Sequence, residues 1–332
     1  MTESAIYRRD IAVTQDISAL RGKTVLITGA TGLVGTCLTD ALTESDCGAN
    51  IIALCRHPEA LQNPRVSAMR GDVTQPLPDL PEVDYIIHAA SNAHPMAFSQ
   101  DPVGTMLANI LGTKNLLEHL RRQGHGRMLF VSTGEIYGEN PSVDAFSEQD
   151  FGRIDSMNPR ACYPESKRAA ETLCASYLRQ YGVSCVVARL CYVYGATITP
   201  ANSRADAQFL RKALAHENIV LKSPGTQMRS YCYAPDAVMA LCAILCRGTD
   251  GTAYNVANRN SNHTIREYAE CLARLAGVQV VFDLPPEAER QGYSQVSRAV
   301  QNPDRLEALG WKPRFSLEEG LRHTLAILGG NA

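Results

Sequence analysis

From Gly22 onward, short aliphatic and β-branched runs alternate with longer stretches of helical periodicity. The runs are TVLIT (24–28), IIALC (51–55), YIIHAA (85–90), MLFVST (128–133) and VVARLC (186–191). Apolar segments this short, rich in β-branched residues, read as buried strands. Between them the chain is amphipathic. In 101–122, for example, Met106, Ile110, Leu117 and Leu120 recur at helical spacing. Strand and helix in this alternation predict an α/β fold, a Rossmann-type doubly wound parallel sheet with helices on both faces.

After Gly195 the pattern loosens through ATITPANSRADAQ into a helix, a strand pair around 218–233, and a C-terminal stretch rich in Pro and polar residues. The expected organisation is an N-terminal extension over 1–20 and a dinucleotide-binding domain over 21–195 with a returning segment near 231–258. A smaller α/β substrate-binding region follows, built from 196–230 and 259–330. No internal repeat or low-complexity segment interrupts it.

The 332 residues are 45% hydrophobic and 20% charged, enough to bury a sizeable core. A net charge of -2, with both signs interspersed, gives no nucleic-acid or membrane footprint and points to a small-molecule partner. The N-terminus has no apolar leader and no run is long enough to span a bilayer, so a cytoplasmic location is expected. Eleven cysteines without a C-x-x-C pair suggest buried reduced thiols, with neither a disulfide framework nor a metal site.

The first strand runs directly into Thr28-Gly29-Ala30-Thr31-Gly32-Leu33-Val34-Gly35 and then a helix. In that context Gly29 permits the tight turn, Gly32 lets the backbone approach a pyrophosphate, and Gly35 lets helix pack on strand. The spacing is G-x-x-G-x-x-G. The end of the second strand, which reads the adenosine ribose, carries Cys55-Arg56 and no acid, so Arg56 leans the cofactor from NAD towards NADP, with Glu59 or a main-chain contact still able to hold NAD. Asp72, in the step Gly71-Asp72-Val73 after a third strand that lies between the runs at 51–55 and 85–90, is placed to contact adenine.

Tyr163-Pro-Glu-Ser-Lys167 puts a phenol and an ammonium four residues apart on one helix face. A phenol is a poor base unless a neighbouring cation and an oxidised nicotinamide favour the phenolate, so the pair is a coherent oxidation centre. Thr133 and Glu135, in STGEIYG at the carboxyl end of the fifth strand read, could hold the reacting hydroxyl and act as acid or base. His88 and His94 read as packing or loop polar groups.

In this order TGATGLVG, GDV, HAAS, STGEIYG and YPESK resemble the extended short-chain dehydrogenase/reductases, specifically the NAD-dependent nucleotide-sugar epimerase/dehydratase family. PRACYPESKRAAETL, SRADAQFLRKAL, GTQMRSYCYAPDAV and LGWKPRFSLEEGL are similar to stretches of UDP-glucuronate decarboxylases. The resemblance implies a nicotinamide cofactor held by the glycine turn with Thr31, Leu33 and Val34, by Arg56, Asp72 and Val73, by Ala89, Ala90 and Ser91, and by Asn109, Tyr163 and Lys167. It makes Tyr163 the base, Lys167 its tuner, Thr133 the ligand of the substrate oxygen and Glu135 the active-site acid or base. Ser91, Thr133, Tyr192, Arg204 and Arg229 then face a nucleotide-diphosphate sugar, and a homodimer forms through the helices at 101–122 and 163–181.

The reaction implied begins with oxidation at C4. Three residues depart from the pattern. Gly134 stands where the 4,6-dehydratases carry an Asp before the Glu, Tyr192 replaces the usual Asn, and Arg56 replaces the acid after the second strand. The readings left open are a decarboxylase or dehydratase, an NADPH-dependent 4-ketoreductase, a 4-epimerase and, outside catalysis, a cofactor-binding regulatory protein.

Overall fold

The computed structural model describes residues 4–284 and 296–330. Strands β1 (Thr24–Thr28), β2 (Asn50–Cys55), β3 (Ser67–Arg70), β4 (Tyr85–His88), β5 (Arg127–Thr133) and β6 (Ser184–Leu190) enter one seven-stranded sheet. β7 (Tyr192–Tyr194), β8 (Ile219–Leu221) and β9 (Met228–Tyr233) follow outside it, and β10 (Ala253–Val256) returns to its edge. The order is β10-β6-β5-β4-β1-β2-β3, parallel throughout. The chain reverses its winding direction between β1 and β4, and open α/β sheets bind ligands at such a switch point.

The period-two alternation of the strands separates two cores. Val25 and Ile27 of β1 and Leu129 and Val131 of β5 face α2 (Leu33–Glu44) and α7 (Ala234–Arg247), with Trp311 in the same cluster. Leu26 and the intervening Met128 and Phe130 face α4 (Pro102–Gln123) and α5 (Cys162–Tyr181), through Leu116, Leu117, Ala170 and Cys174. Strands buried on both faces explain why these segments are almost continuously apolar.

The remaining helices are α1 (Ala5–Ile11), α3 (Pro95–Gln100), α6 (Ala205–Leu214), α8 (Ile265–Ala276), α9 (Asp304–Glu307) and α10 (Leu317–Leu328). β11 (Asn262–Thr264), β12 (Val280–Phe282) and β13 (Arg298–Ala299) complete the strands. A third core joins α6, α8 and α10 through Phe209, Tyr231, Tyr268 and Leu321, the Tyr231 and Tyr268 rings stacking at 4.6 Å. The strand pair expected around 218–233 does not form. β8 pairs with β12, while β9 lies between β11 and β13 and also pairs with β7. The reason lies in the connection: Gly225, at φ +72°, and Gln227 accept backbone hydrogen bonds from Arg266 and Ile265 at the start of α8, so the turn is tied to that helix instead of closing a hairpin.

Residues ahead of β1 are part of the fold. In α1 the Tyr7 hydroxyl donates to Asp40 of α2 at 2.8 Å, and the buried Asp10 carboxylate meets Tyr233 at 3.0 Å and His323 at 2.8 Å. All eleven cysteines are free.

Candidate active site

The glycine turn is built at the switch point between β1 and β4. Gly29 has φ +74°, and a Cβ there would lie 2.6 Å from the Ala89 carbonyl carbon. Ala89 and Ala90 in turn donate their N–H groups to the Thr28 carbonyl and hydroxyl at 3.2 Å. A Cβ on Gly35 would fall 2.1 Å from the Gly29 oxygen, so the start of α2 can approach β1 only without one. Gly32 caps α2 with no side-chain hydrogen bond. The opening N–H groups of the helix, around Leu33 and Val34, are therefore presented to an anion, beside the half-buried Thr31.

Ser91 Oγ and Asn109 Oδ1 are buried without a partner among the described residues. Buried polar atoms are ordinarily satisfied, so a bound group or water is what they await. Together with the glycine cradle they fit a dinucleotide. At the end of β2, where the adenosine ribose is expected, Arg56 is exposed, and Arg70 of β3 donates to the Arg56 carbonyl at 2.9 Å and to Glu59 at 3.1 Å. One oxygen of Asp72 accepts from the Thr74 amide and hydroxyl; burial pushes this carboxyl up, but the Thr74 bonds outweigh it and hold it below the usual range. Val73 turns its side chain into the core under α4, and its carbonyl accepts from Asn115 at 2.8 Å.

The candidate reactive groups lie at the end of β5 and the start of α5. Thr133 ends β5, and its hydroxyl accepts the Glu135 amide at 3.2 Å, which fixes the backbone of the turn. Tyr163 lies in the first turn of α5, buried, with its ring stacked on Phe98 at 4.7 Å. Burial pushes its phenol up and the Glu135 charge adds to this, while a hydrogen bond with Thr133 and the Arg204 and Arg160 charges pull it back.

Lys167 is one helical turn on, 2% exposed, with Nζ 2.7 Å from the Val131 carbonyl and 4.6 Å from the Phe130 ring centroid. Burial pushes this amine down to about 7, opposed by the carboxylate of Glu171 another turn along α5. Its Nζ stands 5.9 Å from the Tyr163 ring centroid. Asn109 of α4 joins the group through Ser166, whose hydroxyl it reaches at 2.9 Å and which donates to the Tyr163 carbonyl at 3.0 Å. His88 is held by Thr28 at 2.7 Å, and burial pushes it down to about 3, so it is a neutral packing group. His94 caps α3 and contacts Ser203.

Tyr192, Arg204 and Arg229, expected to face the substrate, lie near one another. The Arg229 guanidinium is buried, donates to the Met228 and Val296 carbonyls, and lies 5.5 Å from the Tyr192 ring centroid. Arg204 donates to the Val193 carbonyl at 2.8 Å and pairs with Asp206 at 3.5 Å. Tyr192 is pushed up by burial, with the Arg229 charge opposing and that of Glu135 adding. Tyr192 thus shares an electrostatic environment with the reactive turn.

Sequence reasoning missed several groups. Arg160 pairs with Glu135 at 2.8 Å, and Phe98 covers Tyr163. Arg160 stands three residues before Tyr163, a signal that was available; Phe98 gives none. Gln301 reaches the site from beyond β13: a Cβ on Gly134 would lie 2.9 Å from its amide carbon and oxygen. Its Nε2 donates to the Arg189 carbonyl and to Asn255 Oδ1, two acceptors that fix the orientation of the amide.

A sequence profile of the NAD dependent epimerase/dehydratase family matches residues 25–257. The chain belongs to this family. Its similarity to UDP-glucuronic acid decarboxylase 3 of Arabidopsis thaliana is 34% identity over 307 residues, 90% of this chain and 86% of that protein. For UDP-glucuronic acid decarboxylase 1 of Danio rerio the identity is 33%, covering 91% and 72%. Among solved structures, a UDP-glucose 4-epimerase of Thermus thermophilus in complex with NAD superposes with a TM-score of 0.78 at 28% identity, covering 93% of this chain and all of that one. A dTDP-glucose 4,6-dehydratase of Bacillus anthracis shares the fold, with a TM-score of 0.78 at 20% identity, covering 93% and 97%. This epimerase/dehydratase-family chain is thus a nicotinamide-dependent enzyme on a Rossmann-type fold. Among its described residues no helix is long and apolar enough to cross a membrane.

Proposed function

We propose that the enzyme is a nucleotide-uronate decarboxylase, acting on a UDP-linked glucuronate by transient oxidation at C4. The observation that carries this reading is the turn Thr133-Gly134-Glu135. It offers one carboxylate, and the Gln301 amide occupies the space into which a side chain at 134 would project. A site without a second acid there suits loss of carbon dioxide from the 4-keto sugar better than elimination of water. The relatives named as decarboxylases support the same choice.

In this mechanism Thr133 hydrogen-bonds the C4 oxygen and Tyr163 takes the hydroxyl proton. A nicotinamide held by the glycine turn and by Lys167 would supply the redox chemistry at C4, as hydride acceptor for the oxidation and donor for the later reduction. With a ketone at C4, the C5–C6 bond breaks as carbon dioxide leaves and its electron pair moves onto the C4 oxygen. Glu135 manages the proton that returns to C5. Tyr163 then gives its proton back to the C4 oxygen as the ketone is reduced, so the cofactor ends unchanged.

Glu135→Gln tests the assignment. C4 oxidation should persist while carbon dioxide release drops by about 10²–10⁴-fold, the usual share of a proton-transfer group. Reduced nicotinamide then accumulates on the enzyme, read as its absorbance. Full activity in this variant would remove Glu135 from the mechanism.

Arg56 favours a second reading, a 4-ketoreductase that consumes NADPH, because a guanidinium and no acid directly after β2 suit a 2′-phosphate, while the nearby Arg70 is paired with Glu59. An empty site that takes up NADPH reversibly supports the reductase; tightly held cofactor supports the recycling decarboxylase. The assembly proposed is a homodimer through α4 and α5, α4 exposing Val103, Met106 and Leu107.

A further inference from the structure

Arg160 sits in the short turn Pro159–Ala161 that leads into α5, its amide held by the Asn158 side chain at 3.0 Å. Its Nη2 donates to Glu135 Oε2 at 2.8 Å, and its guanidinium lies 4.6 Å from the Phe98 ring centroid. Phe98 in turn stacks on Tyr163 at 4.7 Å, with 20° between the rings. One cation therefore touches the only carboxylate of the reactive turn and the ring that covers the base.

The pair is half exposed, 45% for Arg160 and 32% for Glu135. Ion pairs that wet contribute little to folding stability. Orientation is a different matter. The Glu135 backbone is fixed by Thr133, but among the described residues no second hydrogen bond reaches its carboxylate, so Arg160 alone sets where that group points.

We propose that Arg160 is a positioning residue for the decarboxylation step, aiming the Glu135 carboxylate at the C5–C6 end of the sugar and leaving C4 oxidation to Tyr163, Lys167 and Thr133. The proposal rests on the decarboxylase reading. Misplacing a catalytic group by about 1 Å costs about 10²-fold, and the loss falls on the step that group serves.

The test compares Arg160→Gln and Arg160→Lys with the wild-type holoenzyme on UDP-glucuronate, following carbon dioxide release and reduced-nicotinamide absorbance together. Both variants are first checked for an unchanged thermal transition and cofactor content. Arg160→Gln should release carbon dioxide roughly 10–100-fold more slowly while reduced nicotinamide builds up, and Arg160→Lys, which keeps the cation, should recover much of the rate. Two results overturn the role of Arg160 and leave the decarboxylase standing. One is an Arg160→Gln enzyme as fast as wild type. The other is an equal fall in oxidation and carbon dioxide release that Lys does not relieve, which would mark simple packing against Phe98. Failure of the wild-type enzyme to release carbon dioxide overturns the decarboxylase reading and this proposal with it.

Discussion

Lys167 concentrates the chemistry of the site in one side chain. A lysine 2% exposed, with one backbone carbonyl for Nζ and an aromatic face beside it, carries its charge at a cost, and burial brings the amine to about 7. In the unfolded chain the same amine titrates near its ordinary value of about 10.4. Below the folded value both states are protonated and the full penalty of burying the charge is present. Between the two values the unfolded chain binds the extra proton, so the penalty is relieved as pH rises from about 7 to about 10. The wild-type protein should therefore gain thermal stability relative to Lys167→Met across that window, as measured by paired melting curves. A difference that is flat in pH would mean that the buried amine is not charge-stressed. Tyr163, Lys167, Thr133 and Glu135 were legible because local spacing brings each pair together, four residues apart on a helix or two apart in a turn. The Arg160 to Glu135 pairing spans 25 positions and the Phe98 to Tyr163 stack spans 65, and no local periodicity encodes either.

The helix α5 does more than present Tyr163 and Lys167. One turn past Lys167, Glu171 takes the Arg189 guanidinium of β6 at 2.7 Å and the Ser132 hydroxyl of β5 at 2.5 Å. Arg189 continues to Tyr137, which donates to Asn255 of β10 at 2.6 Å, and Asn255 in turn holds Gln301. This buried network ties α5, β5, β6 and β10 beneath the reactive turn. Glu171→Ala would leave the Arg189 charge buried and unpaired, at an expected cost of about 3–5 kcal/mol in a denaturant titration. A loss well below this would mean that water or a neighbour replaces the carboxylate. Five of the seven sheet strands were readable as apolar runs. β3, with the mostly exposed sequence SAMR, was placed only by the Gly71-Asp72-Val73 step that follows it, and β10, with AYNV after α7, was not read, because edge strands need no continuous apolar face. The pairing of β8 with β12 escaped for another reason: it joins segments some 60 residues apart and depends on the turn at Gly225.

At the scale of the whole molecule, the sheet and its switch point position the glycine turn, and the proposed function needs a nicotinamide held there to reach Tyr163. The C-terminal region brings the Arg204 charge to bear on Tyr163, the Arg229 guanidinium to Tyr192 and the Gln301 amide against Gly134. Even α1 is tied in, through Asp10 to β9 and α10 and through Tyr7 to α2. The Rossmann core was legible because its strands and turn follow one another in the chain. Tyr192, Arg204 and Arg229 were named only through the family resemblance and Gln301 not at all, since they come from four separated segments that no local spacing links. On the proposed function this assembly oxidises C4 and then releases carbon dioxide without net use of cofactor. The measurement that tests it most directly is incubation of the purified enzyme with UDP-glucuronate, following carbon dioxide and total reduced nicotinamide, with Tyr163→Phe as the control. The account predicts carbon dioxide released together with a nucleotide pentose, no net change in nicotinamide, and loss of both products in the control. A product that keeps all its carbons, as an epimer or a deoxy sugar, or stoichiometric consumption of NADPH, would contradict it.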